Sequence, residues 1–263
     1  MKINNEYHRS KRRNFILISC IQVVLLLLIL LSWEFLSRFN IIDAFLFSRP
    51  TSIIILIWKY IKNLEIFEHI GISLLETLLG LVIGTVFGLL IAIILWWNKT
   101  ISKILDPFLV VLNALPKTAL APILIIWVGT GIKGITVVAI SISLVVTILS
   151  AYSYFMLVDE EKIKMLKTFG ANKFQILFKL ILPSNITNII SIIKINIGMS
   201  WVGVIVGEFI VSRAGIGYLI MYGSQVFKMD LVMMGVIVLA IISYLMYGIV
   251  NYIEKRLKGK RKK

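Results

Sequence analysis

The chain has 263 residues, 59% of them hydrophobic and only 16% charged, with a mean hydropathy of +0.95 and a formal net charge of +15. A water-soluble domain is about half apolar and about a quarter charged, so this composition excludes a soluble enzyme or nucleic-acid-binding domain and points to an all-α polytopic membrane protein. The lone Cys20 supports neither a disulfide framework nor a metal framework.

Six apolar stretches, near 15–36, 71–95, 107–128, 134–156, 187–211 and 230–252, are each close to the roughly 20 residues that cross a bilayer core. With the N-terminus inside, five, two, five and seven Lys or Arg fall on the inner side, against four, one and two on the outer side. The positive-inside rule then predicts cytoplasmic N- and C-termini and a cytoplasmic 157–186 loop in the cell membrane. The first span follows Lys11, Arg12 and Arg13 as a signal peptide would. It runs on into Trp33, Glu34 and Phe35 without a small-residue cleavage site, so it reads as an uncleaved anchor. In the outer segment 37–70, Pro50 and Thr51 start a short helix lying along the interface, and His69 with Glu65 and Glu68 reads as a group of solvated charges in a mobile loop rather than a metal site. His8 falls on the opposite side of the membrane.

The second span carries Gly80, Gly84, Gly88 and Ala92 at four-residue steps, a small-xxx-small stripe that brings helix backbones together within the subunit, at a dimer interface or along a pore. In the third, Asn113, Pro116, Lys117 and Pro122 occur together. Two prolines break the hydrogen-bond ladder, which at membrane depth needs other protein or water to satisfy the freed carbonyls, so this span belongs inside the bundle. Lys117 either faces a cavity or partner, or snorkels to the headgroups. Gly129, Gly131 and Gly134 spell G-x-G-x-x-G, but in a short turn between spans with no strand before it, and no Walker motif occurs anywhere. Any ATP is therefore hydrolysed by another polypeptide.

Between the fourth and fifth spans, Leu157–Ser184 is the one long polar stretch. Asp159, Glu160 and Glu161 followed by Lys162, Lys164 and Lys167 give the charge order a helix dipole favours, and Gly170 ends that helix with a left-handed cap. Asn172 and Gln175 form a capping box; Phe174, Leu177, Phe178 and Ile181 then mark a second amphipathic helix, which Pro183 stops. The apolar face of Ile163, Leu166, Phe169, Phe174, Leu177, Phe178 and Ile181 is too large to leave in water and predicts helix-in-groove docking onto a soluble partner. In the fifth span, Lys194 and Glu208 are candidates for a path or gate, while Trp201 by itself reads as packing. Alternatively, Lys194 snorkels and Glu208 caps the GIGYLI segment that follows. The basic ending NYIEKRLKGKRKK predicts a tail held to anionic lipid, not to nucleic acid. No nucleophile and base lie together, so no catalytic site is expected.

Gly170, followed after nine residues by Leu180-x-Leu182-Pro183, resembles the "EAA" loop of the membrane subunits of ABC importers. FSRPTS (47–52), Asp106-Pro107, LPKTALAP (115–122), IWVGTG (126–131), IGMSWVGVIVGEF (197–209) and GIGYLI (215–220) are similar in order and spacing to permeases of the nitrate, sulfonate and taurine group, over roughly residues 46–254. Lys164, Met165 and Leu166 stand where the family has Glu-Ala-Ala, so that glutamate contact does not carry over. The resemblance implies a type I importer permease fold with six spans. It divides the chain into an N-terminal tail, first span and outer segment (1–66), a transmembrane domain (67–253) and a basic tail (254–263). It further implies a coupling loop whose Asp159, Leu166, Phe169, Gly170, Ala171, Phe174, Leu182 and Pro183 meet an ATP-binding cassette ATPase, and a path with Asn113, Lys117, Lys194, Trp201 and Glu208 as candidates. ATP and Mg belong to the partner ATPase, a solute-binding protein delivers the solute, and two permeases pair as a homodimer. The cargo it implies is a small polar or anionic solute such as nitrate, a sulfonate or taurine. A secondary transporter or channel without an ATPase is the alternative, and would need mid-depth acids and often an inverted repeat. A membrane scaffold would account for the loop but not for the broken third span.

Overall fold

The computed structural model describes residues 2–261, with side chains for 17–256. The helices, in order, are α1 (Lys2–Arg38), α2 (Ala44–Phe47), α3 (Pro50–Lys62), α4 (Glu65–Trp97), α5 (Lys99–Ala114), α6 (Lys117–Val128), α7 (Ile132–Met156), α8 (Glu160–Thr168) and α9 (Lys173–Ile176). A π-helical turn (Leu177–Ile181) leads into α10 (Leu182–Ser184), and α11 (Ile186–Val211), α12 (Ile216–Gln225) and α13 (Met229–Arg261) complete the chain. Helices α1, α4, α7, α11 and α13 are each long and apolar enough to cross a membrane. The pair α5 and α6 makes a sixth crossing if its two arms count as one span.

Helix α7 is the centre. Of its most apolar stretch 61% is buried, against 0% for α1. The reason is the small-residue stripe: a Cβ placed on Gly80 would lie 2.5 Å from Ala139 Cβ, and one on Gly88 would lie 2.5 Å from Thr147 Cβ. Gly84 likewise lies against Ser143, whose hydroxyl donates to the Gly80 carbonyl at 3.2 Å. On the other side of α7, a Cβ on Gly203 of α11 would lie 2.5 Å from Ala139 Cα. Small residues let α4, α7 and α11 meet at backbone distance, which is how helices associate where lipid removes the hydrophobic driving force. Gly80, Gly84 and Gly88 thus pack inside one subunit.

The helix predicted from Pro50 is α3, and Glu34 of α1 accepts hydrogen bonds from Thr51 N (3.1 Å) and Thr51 Oγ1 (3.0 Å) at its first turn. The break expected in 107–128 is a bend of 99° between α5 and α6, at Leu115 and Pro116. Pro107 and Pro122 lie inside helices that continue past them, whereas Pro116 stands before α6, where the residue preceding a proline is pushed out of the helical region. One expectation needs correcting: residues 65–70 are not a mobile loop but the opening turns of α4. The last helix continues past 252 to Arg261, and the side chains of the basic tail beyond 256, like that of His8, lie outside those described.

Candidate functional site

One end of the bundle carries the 157–184 segment. Asp159 Oδ1 accepts from Glu161 N at 2.9 Å and starts α8, with Glu160 and Glu161 in the first turn and Lys167 in the last. Gly170 has φ +79°; its N–H donates to Lys167 O at 2.9 Å, and Ala171 N donates to Leu166 O at 3.0 Å. These two bonds make a Schellman ending, which needs a residue without Cβ strain at Gly170. The next helix starts two residues later, where Gln175 N donates to Asn172 Oδ1 (2.8 Å) and Asn172 N to Gln175 Oε1 (2.9 Å). The π turn was not expected from the apolar spacing. Its cause is Pro183, which has no N–H to give to the carbonyl four residues back, so the last turn widens and Leu182 N reaches Leu177 O instead.

The apolar face of this segment divides in two. Ile176, Leu177 and Ile181 are buried against Ala92, Ala151, Phe155 and Ile192 at the ends of α4, α7 and α11, with Ile163, Leu166, Ala171 and Leu182 packed partly against them. Phe169 (79% exposed), Phe174 (60%) and Phe178 (53%) stay outside. The expectation that the whole face awaits a partner is therefore corrected: the aliphatic half is consumed within the chain because the three spans end directly beneath it. The remaining surface is aromatic, with the Phe174 and Phe178 rings 4.7 Å apart and Phe174 edge-on to Trp97 at 6.1 Å.

At the opposite end, four consecutive backbone N–H groups at the start of α12 are all satisfied by side chains from other helices. Gly215 N donates to His69 Nδ1 (2.9 Å), Ile216 N to Ser73 Oγ (2.7 Å), and Gly217 N and Tyr218 N to Glu208 Oε2 (2.5 and 3.3 Å). Ser73 Oγ in turn donates to Glu208 Oε1 at 2.5 Å, and Glu208 is 1% exposed. Glu76, equally buried, lies beside Glu208. His69, Ser73 and Glu76 stand at i, i+4 and i+7 on α4 and so share one face. That polar stripe inside an apolar span was the signal for the cluster that sequence reasoning missed.

The remaining path candidates are scattered. Asn113 is exposed and Lys117 half-buried at the bend, where Lys117 Nζ donates to Asn113 O (3.2 Å) and so caps the carbonyl end of α5. Lys194 forms an ion pair with Glu254 and donates to Asn251 Oδ1 at 2.9 Å, with the Tyr247 ring centroid 5.1 Å away. Trp201 is 4% exposed and packs with Leu81, Ile197 and Leu219. Between them, Asn196 Nδ2 donates to Thr85 Oγ1 (2.8 Å) and Thr147 Oγ1 (2.6 Å), a polar link among α4, α7 and α11 that sequence reasoning also missed. No cluster of three metal-ligating side chains occurs among the described residues.

The sequence model of the family described as "Binding-protein-dependent transport system inner membrane component" matches residues 84–259. The chain is 27% identical to a probable ABC transporter permease protein of Haemophilus influenzae, over 87% of this chain and 92% of that one. It is 28% identical to a putative aliphatic sulfonates transport permease protein, SsuC, of Bacillus subtilis, over 86% of this chain and 82% of the relative. In fold it is similar to a chain of the MetNI methionine ABC transporter in an inward-facing crystal form, with a TM-score of 0.65, 16% identity and coverage of 73% of this chain and 95% of that one.

Proposed function

Because the chain belongs to the family of binding-protein-dependent transport system inner membrane components, a multi-pass membrane subunit of ABC importers with the type I permease fold and no enzymatic site of its own, we propose that Leu157–Ser184 is its coupling loop. In this reading, Phe169, Phe174 and Phe178 enter a groove of an ATPase subunit, which binds ATP and Mg. Asp159, Gly170, Ala171 and Pro183 fix the loop's shape, and Leu166 and Leu182 hold it to the bundle. The observation that carries the reading is the division of the loop: a buried aliphatic half seated on α4, α7 and α11, and an exposed aromatic half. A rigid piece with one side bound to three spans transmits a push on its other side.

The loop end of the bundle lies in the cytoplasm together with both termini, as the distribution of Lys and Arg supports. The α12 end then faces outward, toward the solute-binding protein. Two copies of the permease pair through the bent α5 and α6, whose Phe108, Ile126 and Trp127 stand exposed. Asn113 and Lys117 at the bend contribute to the path, and an anionic cargo of the sulfonate kind fits the basic Lys117 and the name of the Bacillus relative. Lys194, Trp201 and Glu208 hold α11 in place.

Mild-detergent purification of the tagged chain from its native membrane, followed by mass spectrometry, tests this directly: a Walker-containing ATPase is expected to co-purify. A chain that comes down alone and moves solute in liposomes without ATP overturns the proposal.

A further inference from the structure

A cavity of about 390 Å³ opens between the loop and the ends of α4 and α7. Trp96, Trp97, Lys99, Lys164, Lys167 and Lys173 line it, with Glu160 as the one acid in its wall. Glu160 is already engaged by Lys164 at 3.9 Å. Lys173 donates to the Trp97 carbonyl at 2.8 Å, with its ammonium 5.8 Å from the Trp97 ring centroid, so the two side chains form one ordered wall. Lys99 and Lys167 make no ion pair among the described residues, and four lysines against one glutamate leave the cavity strongly positive. Tryptophans at the end of a span mark the headgroup level of a bilayer. Directly beyond them on α4, Phe87, Leu90 and Ile94 are 55%, 49% and 52% exposed, at spacings of three and four that continue to Trp97. A positive pocket at headgroup depth with an apolar helical stripe running from it into the membrane matches a molecule that has a phosphate at one end and an acyl chain at the other.

We propose that this cavity binds the phosphate of an anionic phospholipid, whose chain lies along the Phe87, Leu90 and Ile94 face of α4. Seated between the end of α4 and the coupling loop, the lipid bridges membrane and loop. The lipid comes from the inner leaflet, which rests on the topology proposed above. Lipid retention needs neither ATPase nor binding protein, so its failure is distinct from failure of the importer reading. The test is native mass spectrometry of the purified full-length chain released from micelles containing equal phosphatidylglycerol and phosphatidylcholine. Preferential retention of phosphatidylglycerol is expected. A Lys99→Gln, Lys167→Gln double variant is expected to lose it by about tenfold or more, since each lysine near an anionic headgroup contributes roughly a factor of five. Arginine at both positions should restore it, which separates charge from misfolding. Three results overturn the proposal: equal retention of the two lipids, the same loss in a Lys162→Gln, Lys179→Gln control outside the cavity, or displacement of the lipid by millimolar inorganic phosphate, which would assign the site to a soluble anion.

Discussion

The two ends of the bundle both consist of helix termini, but they are capped in different ways. At the loop end the helices of the loop itself are capped from within five residues of the group satisfied: Asp159 for α8, the Gly170 turn after it, and the Asn172–Gln175 box for α9. At the α12 end the caps come from His69, Ser73 and Glu208, two of them some 140 residues away in sequence. A locally capped segment keeps its shape when it moves as a body. A helix capped by its neighbours is correct only when those neighbours are in place, so α12 reports the relative position of α4 and α11, and the loop does not.

Substitutions at the two ends should separate these behaviours. The largest loss of stability is expected for Glu208→Ala, which strips acceptors from buried N–H groups and the Ser73 hydroxyl and should cost about 2–4 kcal/mol, read as lowered thermal stability of the detergent-solubilised chain. Ser73→Ala removes a smaller share, about 1–2 kcal/mol by the same measurement, because one N–H, that of Ile216, loses its acceptor and Glu208 loses one of its donors. At the loop end, Gly170→Val forces a branched side chain into a left-handed turn at about 1–2 kcal/mol; insertion should stay intact while ATP hydrolysis in the reconstituted importer no longer drives uptake. Normal uptake by that variant would remove the coupling role. Asn172→Ala should cost about 1 kcal/mol, through one cap. Phe169→Ala, at a side chain that touches little of its own chain, should leave the melting temperature unchanged and yet weaken ATPase co-purification; unchanged co-purification would separate the aromatic surface from the partner.

The same contrast explains what could be read from the sequence. The caps of the loop follow rules of one to five residues, so Asp159, Gly170, Asn172 and Gln175 were legible as they stand. The spans were legible through their apolar length, and the helix at Pro50 through its proline. The site at the α12 end was legible only in Glu208, since His69 and Ser73 become acceptors through contacts set by the packing of α4 on α11. The 99° bend was half legible: the prolines announced a break, but Pro116 rather than Pro122 sets its place, because a proline just before a helix directs the chain while one inside can be absorbed. The division of the loop's apolar face depended on where three spans end, which periodicity within the loop does not encode.

Ala139 is touched from both sides by glycines of α4 and α11, with nothing larger than its own methyl group between the backbones. Such a joint has no cushion to compress and no rotamer to switch, so the three helices cannot slide or tilt independently without losing contact along their length. They are joined as one block, so a push delivered to any of them by the loop is carried by all three, and the elbow at Leu115 and Pro116 lies outside that joint.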